Sequence, residues 1–185
     1  MDKTLSQMSK EEKMQALLDY RPCRRQRQFV LCYILALRHD DMEQVAWFES
    51  FGRSIYQIML NVSTFERGRL FGYTDRQFDE CGWIRGMLPI VENIWLDASN
   101  VIHIGRSVNG LYAVTIDWAT SNEGGGSYPS VWDEPKTDYK EAVLCGIRML
   151  EHQYSKITSK DKDRLMAGLK DLKREYTGPQ QLTLF

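Results

Sequence analysis

The chain is poor in the residues that most often announce chemistry. It has three histidines, His39, His103 and His152, and four cysteines, Cys23, Cys32, Cys81 and Cys145. No two cysteines stand as Cys-x-x-Cys, and no second histidine lies four residues from His152. Neither a zinc ribbon nor a helical zinc pair is therefore written here. Gly-x-Ser-x-Gly is absent, which removes the nucleophile elbow. There is no excess of one charge: 24 basic side chains stand against 25 acidic ones, for a net charge of -1. Such a balance gives no global attraction for nucleic acid or an anionic membrane. The longest apolar run, "FVLCYILAL", is too short to span a bilayer. The opening "MDKTLSQMSKEEKMQ" has no apolar h-region. These absences predict free core thiols and a cytoplasmic protein with no membrane partner. They offer no catalytic residue, no metal ligand set and no cofactor.

What is present is periodicity. "SKEEKMQALLDY" carries a capping box, with Ser9 as N-cap and Glu12 three residues on. Pro22 then breaks the helix. From Arg24 to Arg38 the residues Phe29, Val30, Tyr33, Ile34 and Leu37 recur at helix spacing. His39, Asp40 and Asp41 read as a boundary whose aspartates cap the next helix. That helix is expected from about Asp41 to Leu60, interrupted at Gly52. Thr74 or Asp75 is a possible cap for a helix running toward Met87, and Pro89 opens a short apolar segment ending near Leu96.

After Asn100 the period changes to two. "VIHIGRS" and "LYAVTIDW" read as strands joined by a two-residue turn at Asn109-Gly110. A glycine-rich loop, "ATSNEGGGS", leads to a third expected strand, "YPSVW". Thr137 or Asp138 caps the helix "YKEAVLCGIRMLEHQY". A last helix from Ser159 to about Tyr176 carries Leu165, Leu169, Leu172 and Tyr176 on one face. The expected fold class is α+β. It comprises a mainly helical region at 1–99, an antiparallel β-β-β-α unit plus C-terminal helix at 100–176 packed with it as one domain, and a tail at 177–185.

Few side chains suggest a site. Arg21, Arg24, Arg25 and Arg27 form a local basic patch that suits phosphate, or the solvated start of a helix. Asp117 and Asp133 flank the glycine-rich loop on expected neighbouring strands and either converge or serve as polar hairpin ends. The loop lies between strands, with no lysine in Walker spacing, so it reads as a flexible connection. Tyr112, Trp118, Tyr128 and Trp132 interleave the strands, where aromatics fill a core or stack on bases.

The chain closes on "GPQQLTLF". The residues Gln181, Leu182, Thr183, Leu184 and Phe185 resemble the pentapeptide by which bacterial proteins dock on the β sliding clamp of DNA polymerase, Gln-Leu-Ser/Asp-Leu-Phe. Thr183 stands where Ser or Asp is usual. The aromatic pair of the eukaryotic clamp motif is missing. The resemblance implies a clamp partner and a role as an accessory protein of bacterial, phage or mobile-element DNA metabolism. For the body, three classes are open. It is an adaptor or phage-type inhibitor that binds a host replication or defence complex, a nucleic-acid-binding module, or a small nuclease with dispersed carboxylates. The β-β-β-α order loosely resembles double-stranded-RNA-binding and antitoxin-type domains.

Overall fold

The computed structural model describes residues 5–158 and 160–178. Their fold is α+β, with six α-helices and one four-stranded antiparallel sheet among the described residues. The chain divides between Gly86 and Met87 into two compact units, each with its own apolar core.

The first unit opens with a 3-10 turn at Leu5–Gln7, followed by α1 (Lys10–Asp19), α2 (Arg27–Arg38), α3 (Met42–Glu49) and α4 (Ile55–Leu70). The capping box forms: the Ser9 hydroxyl accepts from the Glu12 N–H, and the Glu12 carboxylate accepts from the Ser9 N–H. His39 closes α2, Asp40 pairs with Lys10, and the Asp41 side chain accepts from the Gln44 N–H to cap α3. The three neighbours thus perform three separate tasks. The core gathers Leu17, Tyr33, Phe48, Ile58 and Val62, with Tyr33 stacked on Phe48 at 4.8 Å between ring centres.

Two expectations change in this unit. The segment expected from about Asp41 to Leu60 is divided about Gly52, as its interruption there suggests, but its second helix runs on to Leu70. Asn61, Ser63 and Thr64 break the apolar periodicity, yet all three are buried and satisfied. Ser63 and Thr64 donate to the carbonyls of Met59 and Leu60, one turn back. Asn61 donates to the carbonyls of Phe51 and Gly82 and accepts from the Ile84 N–H. The helix expected from Thr74 or Asp75 toward Met87 is absent. Gly72 and Gly82 adopt positive φ there, a conformation that suits glycine. The Asp79 carboxylate takes the N–H groups of Cys81 and Trp83 in a tight turn. Local side-chain bonds have replaced the helical ones.

The second unit has β1 (Ile90–Asp97), β2 (Asn100–Arg106), β3 (Tyr112–Ala119) and β4 (Gly124–Gly126), then α5 (Tyr139–Lys156) and α6 (Lys162–Thr177). The strands lie in sequence order, each antiparallel to the last. The apolar segment after Pro89 is therefore a strand, β1, which the helical reading of residues 1–99 did not contain. The stretch "YPSVW" is not one: only Ser130 makes an isolated bridge, to Met87. The third partner is supplied from inside the expected loop, by three glycines. The turn after β2 has a three-residue loop, with Ser107 N–H bonded to the Leu111 carbonyl and Gly110 at φ 85°. Asp138 caps α5 through the Glu141 N–H.

One face of the sheet packs on α5 and α6. Ile94, Ile102, Ile104, Val114 and Ile116 meet Ala142, Ile147, Leu150, Leu165 and Leu169 in a single cluster. A fully buried Tyr154 donates to Asn100 Oδ1 at 2.7 Å, and the same oxygen accepts from the Ala119 N–H. Asn100 Nδ2 donates to Asp97 Oδ1, and Arg164 on α6 holds the other oxygen of Asp97. That network fixes the end of β3 from which the glycine strand departs.

Candidate functional site

Side chains alternate between faces along a strand. With Ile102 and Ile104 turned to α5, His103 belongs to the opposite face, as do its cross-strand partners Asn93 and Thr115. The register makes one row of Asn93, His103 and Thr115, and a second of Trp95, Val101, Asp117 and Gly126. The inner part of this face is covered locally. A Cβ on Gly105 would lie 2.6 Å from Pro129 Cβ and 3.1 Å from Leu88 Cβ, so the glycine lets the 87–88 and 127–131 segments close over β2. Thr115 fastens that cover by donating to the Ser127 carbonyl at 2.6 Å.

His103 is consequently buried, at 6% exposure. Its Nδ1 lies 2.6 Å from Asn93 Oδ1, and its ring stacks on Tyr128 at 5.9 Å. Its Nε2 is 3.0 Å from Asp117 Oδ2. The distance fits an ion pair, but the ring direction does not fit a hydrogen bond, and Nε2 has no aligned partner. The two are neighbours without a hydrogen bond between them. With Asn93 Oδ1 accepting, His103 Nδ1 is the donor of that bond. The Asp117 carboxylate and the imidazole edge lie side by side near the Tyr128 ring.

Asp117 is the part that meets solvent, its side chain 46% exposed. The glycine strand explains how. A Cβ on Gly126 would fall 1.8 Å from Asp117 Oδ1, and one on Gly124 would fall 2.8 Å from the Trp118 carbonyl oxygen. The Asp117 side chain and the β3 backbone occupy the space that side chains at Gly126 and Gly124 would need. The result is an open cleft of about 480 Å³ walled by Asp117, Trp118, Gly124–Gly126 and Tyr128. Chemically it offers an exposed carboxylate backed by a buried imidazole, an aromatic surface and bare backbone.

The other expected site residues fall elsewhere. Asp133 accepts from the N–H and hydroxyl of Ser130 and closes the 130–133 turn, so it serves as a polar turn residue and is given a different partner from Asp117. Arg21, Arg24 and Arg25 are exposed on the α1–α2 connection, and Arg27 is exposed at the start of α2. The residue that orders this stretch is Gln26, buried and accepting from the Tyr20 hydroxyl and the Cys23 N–H. The expected core thiols are not in the core: Cys23, Cys32 and Cys81 are exposed and Cys145 is half-buried. Gln181, Leu182, Thr183, Leu184 and Phe185 lie outside the described residues. Among the described residues no helix is long and apolar enough to cross a membrane.

Sequence reasoning named Asp117, His103 and Tyr128 but did not join them. The missing signal was β1: without it Asn93 has no register and the polar row is invisible. No protein-family model, curated protein or solved structure matches this chain.

Proposed function

We propose that this protein is an accessory factor of bacterial, phage or mobile-element DNA metabolism that docks on the DNA polymerase sliding clamp through Gln181–Phe185. The supporting observation is the pentapeptide itself, which keeps the glutamine, both leucines and the phenylalanine of the docking pattern. Its setting suits the reading. Helix α6 ends at Thr177, and Gly178 turns to extended backbone, at φ -60° and ψ 155°. Pro179 lacks the N–H that another helical turn would need.

Docking of this kind places two or three apolar anchors in a groove, each contributing about 1.5–3 kcal/mol on burial. Ordering a free segment offsets part of that gain. The expected affinity is micromolar, about -8 kcal/mol. Surface-plasmon binding of the whole chain to purified clamp, beside a chain ending at Gln180, tests the reading. The intact chain should bind and the shortened one should not. Equal binding by both removes the proposal.

A further inference from the structure

We infer that the cleft beside β4 receives an extended basic peptide, which adds a strand to the sheet and sets an arginine guanidinium on Asp117. Three independent observations converge on that occupant, and none depends on the pentapeptide.

The first is the edge. β4 is the last strand in the sheet order, and its three residues are all exposed. At Gly124 and Gly126 a side chain would collide with the Trp118 carbonyl oxygen and the Asp117 carboxylate. A bare outer strand presents backbone donors and acceptors to an incoming strand with no side chains in the way. Strands pair about 4.8 Å apart, so a residue opposite Gly126 would sit roughly 10 Å from the Asp117 backbone. A long side chain crossing the bare glycine covers that gap.

The second is charge. Among the described residues that line the cleft, Asp117 alone carries charge, and no lysine or arginine is present. Such a lining repels phosphate and attracts a cation.

The third is the unpartnered Nε2 of His103, buried and 3.0 Å from the Asp117 carboxylate. Nε2 is not aligned for a hydrogen bond to that carboxylate, and the Asp117 carboxylate accepts no hydrogen bond among the described residues. A cation that donates hydrogen bonds to Asp117 from the cleft supplies what the fold does not. A guanidinium does so as a planar fork matched to a carboxylate, whereas an ammonium brings a point charge. The Tyr128 ring, 60% exposed, supplies a face on which the flat cation stacks.

The test is an amide NMR titration of the full chain with three probes: capped Thr-Val-Arg-Val-Thr, the same peptide with citrulline for arginine, and guanosine. Citrulline keeps the shape and removes the charge. The arginine peptide should shift the amides of Gly124, Gly125 and Gly126, and the citrulline peptide should bind at least tenfold more weakly. Asp117→Asn should show the same loss while the α5 amides stay in place. If that variant misfolds, the two peptides on the native protein still decide the matter. Glycine amides unmoved by the arginine peptide, equal binding by both peptides, or binding of guanosine alone would each overturn the inference.

Discussion

The Tyr154 hydroxyl on α5 joins a network that runs through β1, β2, β3 and α6. Its partner Asn100 Oδ1 also takes the Ala119 N–H, and Asn100 reaches Asp97, which α6 holds through Arg164. Burial pushes the Tyr154 phenol above its usual range, helped by the Asp97 charge. Burial and the Glu49 carboxylate do the same to Tyr33 in the first unit. Both tyrosines therefore keep their protons in the native state at a pH where the unfolded chain loses them, near 10. Their contribution is complete below that pH and is lost as pH rises through the folded values. Urea denaturation should show stability falling above about pH 10, and a flat profile would contradict this account. Tyr154→Phe should cost about 1 kcal/mol at neutral pH and lessen the alkaline loss.

At the scale of the element, glycine decides where strands and helices approach. A Cβ on Gly146 of α5 would lie 2.3 Å from Ile102 Cγ2, so α5 rests on β2 only because that position is bare. Alanine there gains about 1 kcal/mol of helix propensity. Pushing the helix off the sheet costs about 1–3 kcal/mol, since overpacked cores relax poorly. Gly146→Ala should thus lower the thermal midpoint, against the propensity trend, and a raised midpoint would show that the contact gives way freely. The same reasoning applies to β4, where Gly126→Ala should displace the Asp117 carboxylate and change the β4 amide signals without loss of the α5 signals. These features mark the limit of what is legible in a sequence. Capping residues such as Ser9, Asp41 and Asp138 act within three or four residues and were readable. So were β2 and β3, whose alternation is strong. β1 was not, because its register shifts near Ile90 and Asp97 disturb the period of two. β4 was not, because glycine has no strand preference, and only Asp117 and Trp118, met through the fold, explain its composition. The site inherits that limit: Asp117 and His103 stand fourteen residues apart in the chain (117 − 103), and only the β2–β3 register makes them neighbours.

On the scale of the whole molecule, two compact units each close their own core, and a pentapeptide that resembles the clamp-docking motif closes the sequence. Under the proposed function the two parts act separately: the pentapeptide brings the protein to the clamp, and the body presents the acidic cleft. Leu184→Ala and Phe185→Ala should each weaken clamp binding by about tenfold or more, the equivalent of 1.4 kcal/mol, and leave the cleft's titration unchanged. The most direct measurement is competition. The synthetic peptide Gly-Pro-Gln-Gln-Leu-Thr-Leu-Phe, added in excess to a preformed complex of the whole protein with purified clamp, should release the protein completely. Protein that stays on the clamp at saturating peptide would show that it is held by some other surface, and would contradict the account.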